Sequence, residues 1–109
     1  MKHLAIILLI ILCFTSCSKE DYPRVEYRVN SSGSATIAYT MVTPSIRTED
    51  ISGNWKVSFK HSKGASVFLS AVNTGFGKTT ISVYLNKELL HSKSTEIPGA
   101  LIEISEEIP

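Results

Sequence analysis

After residue 23 the chain repeatedly alternates apolar and polar residues with a period of two. Because successive side chains of a β-strand point to opposite faces of a sheet, this period predicts strands with one buried face. The segments that carry it, or that form short apolar runs typical of central strands, are RVEYRV (24–29), SATIAYTM (34–41), WKVSFK (55–60), ASVFLSAV (65–72), TTISVYL (79–85), ELLHSK (88–93) and ALIEISEEI (100–108). The pattern therefore predicts about seven strands.

Segments rich in glycine, proline and small polar residues separate these strands. SSG (31–33) and HSKG (61–64) are predicted to be turns, and Asn86-Lys87 is predicted to be a two-residue hairpin turn, because asparagine tolerates a positive φ. The polar segment 43–54 is predicted to be a loop with at most a short edge strand. No segment of the sequence after residue 17 has convincing helical periodicity. The predicted fold is an all-β, antiparallel β-sandwich.

The stretch GFGKTT (75–80) ends with the Gly-Lys-Thr of a phosphate-binding loop. That motif needs a further glycine five residues before Gly77, where this chain has Val72, and it needs a helix after the threonine. The residues that follow predict a strand instead. Without a helix N-terminus, the loop lacks the partial positive charge that holds a phosphate. We predict a glycine-bearing turn between two strands, and no nucleotide binding.

The start of the chain has the pattern of an export signal. Lys2 and His3 are followed by eleven apolar residues, 4–14. This run is shorter than the ~20 residues that span a bilayer core, but it fits the apolar region of a signal peptide. One alternative is an ordinary secretory signal, whose cleavage site requires no cysteine. Another is a membrane-anchoring helix, which needs an apolar run that continues past Cys17, where SKED follows.

Small residues Thr15 and Ser16 precede Cys17. This arrangement resembles the lipobox of bacterial lipoproteins, in which a signal peptidase cuts before an obligatory cysteine that carries diacylglycerol; Phe14 stands where leucine is usual. The resemblance implies cleavage between Ser16 and Cys17, a lipoprotein signal peptide of residues 1–16, and lipid attachment at Cys17. Two or more acyl chains give a stable bilayer anchor.

Removing residues 1–16 from the 109 leaves 93, which is enough for one domain. Residues 17–23 are then a lipidated tether, and residues 24–109 are the β-sandwich domain. Cys13 leaves with the signal and Cys17 takes the lipid, so no thiol remains for a disulfide. The stability of the domain must come from packing.

Ten basic and ten acidic residues remain after position 16, and this balance gives no electrostatic case for nucleic acid. Their distribution is uneven, with nine basic and four acidic residues between Arg24 and Lys93. A solvated surface with lysines on edge strands accounts for this. The alternative is a basic face directed toward anionic lipid head groups.

The order of segments resembles the MmpS-type family over residues 24–106. It comprises VEYRV, a small-residue turn, ATIAYT, a polar loop, a strand that opens at Trp55, then VFLSAVN, TISVYLNKELL and a closing strand. Members of that family are small membrane-tethered proteins with an exported immunoglobulin-like domain, and in mycobacteria they assist transporters of the resistance-nodulation-division class. The resemblance implies an immunoglobulin-like sandwich and an accessory role here. Family members use a helix as tether, and some carry a cysteine pair, which this domain lacks.

Side chains typical of catalytic and metal sites are sparse. His61 and His91 are the only histidines after the signal, and neither has a cysteine or a carboxylate cluster beside it, whereas a metal site needs three or four ligands. Trp55, with Tyr39 or Phe59, is a candidate platform for stacking a sugar, although a tryptophan at the start of a strand more often belongs to the core. We predict no enzymatic activity, no metal and no cofactor.

Together these features predict a lipid-anchored protein of the cell membrane or outer membrane, with its domain in the periplasm or on the cell surface. The predicted partners are the lipid bilayer, through acylated Cys17, and a membrane transporter or other envelope complex that the protein serves as a non-enzymatic accessory or scaffold. The alternative is a surface-displayed binding module for glycan, peptide or lipid, with Trp55 as a ligand contact.

Overall fold

The computed structural model describes residues 22–109, which form a six-stranded antiparallel sheet. The strands are β1 (Arg24–Tyr39), β2 (Arg47–Lys60), β3 (Ser66–Asn73), β4 (Thr79–Leu85), β5 (Glu88–Thr95) and β6 (Leu101–Glu107). Their order is β5-β4-β1-β3-β6, with β2 paired to the other edge of β1. The predicted all-β, antiparallel class is confirmed. No helix within the described residues is long and apolar enough to cross a membrane.

The structure has six strands rather than about seven, because segment 24–29 and residues 34–39 of the next segment belong to one strand, β1. The turn predicted at residues 31–33 is wrong. These residues form an irregularity in the pairing of β1 with β2, between Asn30 and Ser34. The chain continues in the same direction because Ser31 pairs with Thr79 of β4, and the N–H of Ser32 donates to the carbonyl of Lys78 (3.0 Å).

The polar segment 43–54 also differs from its prediction, because β2 begins at Arg47 and runs unbroken through this region to Lys60. Side chains 47–50 are exposed, so burial imposes no alternation of apolar and polar residues on them. This part of β2 is held by the backbone ladder to β1, from Tyr39 opposite Arg47 onward. The hydroxyls of Thr36 and Tyr39 also donate across the strands, to the carboxylates of Asp50 and Glu49. Backbone pairing leaves no mark in the side-chain pattern.

β1 divides the sheet into two halves that fold over each other. Residues 25–31 pair with β4, which pairs with β5, and we call this the β4–β5 half. Residues 35–39 pair with β3, which pairs with β6, and we call this the β3–β6 half. β2 runs along both. β5 and β6 approach each other on the far side, with His91 Nδ1 3.6 Å from Glu106 Oε1. The result is nearly a barrel.

The inner faces of the two halves share one hydrophobic core. The Tyr27 hydroxyl joins them, because it donates to the carbonyl of Thr40 (2.8 Å) and accepts from the N–H of Phe68 (3.3 Å). Burial raises the pKa of Tyr27 above its usual value. The buried members of the core are Val25, Tyr27, Val29, Ile37, Tyr39, Phe59, Val67, Leu69, Ala71, Ile81, Val83, Ile104 and Ile108.

Several local predictions are confirmed. The turn at Asn86-Lys87 joins β4 to β5, with φ of 49° at Asn86 and 70° at Lys87, as a two-residue hairpin requires. The HSKG segment turns the chain between β2 and β3. The GFGKT stretch is the connection between β3 and β4, and a strand follows it.

Candidate functional site

The described part of the chain begins at one end of the folded sheet, which we call the entry end. There the N–H of His61 donates to the carbonyl of Pro23 (3.1 Å), and the N–H of Arg24 donates to Asn86 Oδ1 (2.9 Å). The irregular stretch Ser31–Ser34 lies about eight residues further along β1, a distance of roughly 25 Å at the rise of a strand. We call that region, with the loops 74–78 and 96–100, the bulge end.

The loop 74–78 is held against the irregular part of β1 by backbone and side-chain hydrogen bonds. The N–H of Ser32 donates to the carbonyl of Lys78 (3.0 Å), and the N–H of Lys78 donates to Ser32 Oγ (2.8 Å). On the other side of the loop, the N–H of Thr74 donates to the carbonyl of Ser34 (3.1 Å). The loop thus acts as an additional short pairing segment for β1.

Two glycines permit this close approach. A Cβ added to Gly33 would lie 2.4 Å from the carbonyl oxygen of Phe76, so any side chain there collides with loop backbone. Gly77 has a φ of +115°, and a Cβ on it would lie 2.3 Å from Ser32 Oγ. L-residues rarely adopt this backbone conformation. Gly33 of β1 and Gly77 of the phosphate-loop-like stretch therefore allow loop 74–78 to lie close against β1.

Beneath the loop, hydroxyl and amide groups form a chain of hydrogen bonds with one direction. The N–H of Gly33 donates to Ser31 Oγ (3.2 Å), and the Thr79 hydroxyl donates to Asn73 Oδ1 (3.1 Å). Since Thr79 has one hydroxyl hydrogen, the 3.1 Å contact between Ser31 and Thr79 is a donation from Ser31. A chain of this kind polarises each of its members.

Asn73 is the centre of this network, and it is fully buried. Its side-chain amide donates to the carbonyls of Gly77 (3.1 Å) and Ile97 (3.4 Å). Its backbone N–H donates to the carbonyl of Ala100 (3.0 Å), and its carbonyl accepts from the N–H of Gly99 (2.6 Å). One residue therefore fixes the loops 74–78 and 96–100 relative to each other.

The loop so fixed presents Phe76 to solvent, with 89% of its surface exposed. Ile97 and Leu101 at the same end are 68% and 59% exposed. An apolar side chain on the surface is ordinary by itself. Here three lie at one end of the molecule, and the most exposed is an aromatic ring on a loop that hydrogen bonds hold in place. This arrangement suits contact with another molecule.

Trp55 lies on the inner row of β2, half-buried, with its ring centroid 4.9 Å from that of Tyr39. Tyr39 and Phe59 are buried in the core and offer no ring face to a sugar. The part of Trp55 that reaches the surface borders a shallow groove of about 410 Å³, also lined by Arg28, Asn30, Asn54 and Lys56. Contact of Trp55 with a ligand stays a prediction.

The two histidines of the domain lie apart. His91 faces Glu106 across the gap between β5 and β6, and the ring of His61 lies 6.1 Å from that of Phe59. Among residues 22–109, no three side chains of the kinds that ligate metals are grouped together. Ser16 and Cys17, the predicted cleavage and lipid-attachment residues, lie outside the described residues.

Sequence reasoning missed both the buried network and the display of Phe76. The sequence held a signal for the exposure of Phe76, because a phenylalanine between two glycines is not typical of a buried strand position. Asn73 had a weaker signal, as a polar residue that closes an apolar run. No protein-family model matches the chain, and no curated protein matches it significantly, so its own geometry carries the functional argument.

Proposed function

We propose that the protein is a membrane-anchored envelope lipoprotein that acts without catalysis, as an accessory or scaffold of a membrane complex. The role is transport-related, as in MmpS-type proteins. Cys17 carries the lipid, and the tether of residues 17–23 joins the domain at the entry end. The partner is an integral membrane protein that receives the bulge end in an apolar pocket.

The observation that carries this proposal is the presentation of Phe76. Its ring contributes nothing to the core, yet two glycines and the contacts of Ser32 with Lys78 hold its loop in one conformation. A pre-ordered aromatic side chain loses little conformational entropy on binding, and such residues dominate many protein interfaces. Its place at the end opposite the tether leaves it free to reach a neighbouring protein.

The partner role is tested with Phe76→Ser in the lipidated, affinity-tagged protein. Phe76 packs on no core residue, so the free energy of unfolding should change by less than about 0.5 kcal/mol. Recovery of the membrane partner from detergent-solubilised envelopes should fall about tenfold or more, as for other central aromatic contacts. A photoreactive phenylalanine analogue at position 76 should cross-link to the same membrane protein.

Leu89→Ser is the matched control, because Leu89 is an exposed apolar residue (57%) of β5, away from the bulge end. It should leave recovery of the partner unchanged. Equal recovery with both variants, together with no cross-link from position 76, would remove the role of Phe76 in docking.

The anchor is tested separately by Cys17→Ser, with Cys13→Ser as the matched control. Because the lipid is joined to the Cys17 thiol, Cys17→Ser should abolish incorporation of labelled fatty acid and leave a precursor that retains residues 1–16. Cys13→Ser should be lipidated and processed like the parent. Mass spectrometry of the N-terminal peptide measures both effects, and a parent without added acyl mass would overturn the lipoprotein proposal.

The immunoglobulin-like description of the domain belongs to the same proposal. Three features support it: the β4–β5 and β3–β6 halves pack on one shared core, the domain has about 90 residues, and all strands pair antiparallel. The chain differs in using six strands and in running β1 and β2 through both halves. An experimental structure in which the two halves separate into two sheets would establish it.

The alternative function is a surface-displayed binding module for glycan, peptide or lipid. The groove beside Trp55 favours it, because a half-buried indole lies next to two cations and two amides. A shift in the fluorescence of Trp55 on addition of soluble glycans or peptides would support this alternative, and an unresponsive Trp55 across such a panel would count against it.

A further inference from the structure

The outward side chains of the β4–β5 half carry a cluster of positive charge. On β1 and β2, Arg24 lies directly opposite Lys60 and Arg28 directly opposite Lys56, and all four are exposed. Lys78 continues the cluster at the bulge end, where it borders a depression with Asn30 and Thr80. We call Arg24, Arg28, Lys56, Lys60 and Lys78 the basic face.

Acidic residues are scarce on this face and concentrated on the opposite one. On the outward rows of β1, β2 and β4 in this half, Glu26 is the single carboxylate, and it is paired with Arg28. The outward rows of the β3–β6 half carry Asp50, Glu103 and Glu107, with neither lysine nor arginine. The nearly neutral domain is thus divided into a basic and an acidic side.

The cross-strand pairs are informative because like charges directly opposite each other destabilise a sheet. The ion pair with Glu26 offsets this cost at Arg28, so the domain carries it mainly where Arg24 faces Lys60. Hydrogen-bond donors that suit phosphate surround the charges, since the groove beside Arg28 and Lys56 and the depression beside Lys78 share Asn30 and Asn54. Both hollows are shallow, so the face fits an extended anionic surface better than an enclosed small molecule.

We propose that the basic face docks on the anionic phospholipid head groups of the membrane that carries the protein. The inference rests on the proposed lipid anchor. The face begins at Arg24, where the tether ends, and six residues, 18–23, separate it from Cys17. Those residues reach roughly 20 Å at most, so an anchored domain holds this face at high effective concentration beside the head groups.

Docking in this manner lays β1 and β2 along the bilayer surface. The acidic face with Asp50, Glu103 and Glu107 then turns toward the solution. The bulge end lies at the far end of the basic face, so the loop that carries Phe76 would lie beside the bilayer, roughly 25 Å from the tether. This orientation connects the two parts of the proposed function. It holds the loop 74–78, which carries Phe76, close to other proteins of the same membrane.

The orientation is measured with two versions of the lipidated protein, each with one introduced cysteine whose free thiol carries a fluorophore. Ser58→Cys places the label on the basic face between Lys56 and Lys60. Ser105→Cys places it on the exposed outward row of β6, in the β3–β6 half. In phosphatidylcholine vesicles that contain phosphatidylglycerol, a water-soluble quencher should reach the label at 58 several-fold less than the label at 105. Pure phosphatidylcholine or high salt should equalise the two labels.

The basic face is tested without the anchor in the chain 17–109 that carries Cys17→Ser. Every strand that the structure describes within residues 22–109 lies between Arg24 and Glu107, so this chain retains the described sheet. Its binding to anionic vesicles at low salt should fall about tenfold or more when Lys56→Gln and Lys60→Gln are combined. The pair Arg47→Gln and Lys93→Gln removes the same charge from outside the face, since Arg47 lies on β2 in the β3–β6 half, and should lower binding less than about twofold.

The outcomes separate the inference from the proposed function. Equal quenching of both labels in anionic vesicles, for protein that floats with those vesicles, overturns the basic-face docking and leaves the anchor intact. Equal loss of binding in the two double variants overturns it as well, because total charge alone would then account for binding. Absence of acyl mass on the parent protein overturns the anchor instead, while the anchor-free comparison still decides the role of the face.

Discussion

Asn73→Ala is expected to lower the free energy of unfolding by about 3 kcal/mol. The substitution removes the donors to the carbonyls of Gly77 and Ile97 and the acceptor for the Thr79 hydroxyl. Both Asn73 and Thr79 are fully buried, so water does not replace the lost partners without opening the structure. Chemical denaturation of the parent and the variant measures the difference.

Two further variants give this prediction its controls. Asn54→Ala removes the same amide group from an exposed position of β2 and should change stability by less than about 0.5 kcal/mol. Asn73→Asp keeps the shape and the acceptor but loses both donors, so it should be at least as destabilising as Asn73→Ala. A stable Asn73→Asp variant would show that the amide donors do not hold the two loops together.

Gly33→Ala is expected to destabilise the domain by about 1–3 kcal/mol, because the new methyl group would lie where the carbonyl of Phe76 now is. The clash is with backbone, so relief requires the whole loop 74–78 to move away from β1. The hydrogen bonds between Ser32 and Lys78 should then weaken. Hydrogen exchange of these two amide protons, measured together with unfolding, should show faster exchange in the variant.

Gly75→Ala is the matched control within the same loop. Its new methyl group would meet Ser34 Oγ at 3.0 Å, and this contact is with a side chain, which is hydrogen-bonded to Thr74 Oγ1, rather than with backbone. We expect a smaller loss of stability and unchanged exchange at Ser32 and Lys78. If Gly33→Ala were as mild as Gly75→Ala, the loop would not be fitted closely to β1, and the ordered presentation of Phe76 would lose its basis.

Both variants also bear on the proposed function. Asn73 is fully buried and Gly33 abuts the carbonyl of Phe76, and each holds the loop that presents Phe76. Purified folded Gly33→Ala should therefore recover less of the membrane partner than the parent, although Phe76 itself is unchanged. That link follows because binding by a pre-ordered side chain weakens when its loop must be ordered during association.

The sequence predicted strands well where one face of the strand is buried. In β4 and β6 the apolar residues of the sequence pattern are the ones that face the core. The turn at Asn86-Lys87 contains an asparagine, which tolerates the positive φ found there. Prediction was wrong at residues 31–33 and in the first half of β2. In both places the chain is held by hydrogen bonds to distant strands, and local side-chain patterns do not report which backbone lies alongside.

The candidate site shows the same division. GFGKT was visibly a turn rather than a phosphate loop, because Val72 replaces a required glycine and a strand-like pattern follows. Asn73 was visible only as a polar residue at the end of an apolar run. Its function as the link between the loops 74–78 and 96–100 depends on Ile97 and Ala100, more than twenty residues further along the chain.

By itself, the sequence determined that the domain is built of antiparallel strands and that residues 18–109 hold no cysteine for a disulfide, because these properties follow from residue type and local period. Only the tertiary structure decided that β1 runs unbroken past Ser31–Ser34, that Phe76 stands on a fixed loop, and that four cations meet as two opposed pairs on one face. Those features arise from the register between strands and from the way the two halves of the sheet fold over each other. Both are set by contacts between residues far apart in the chain.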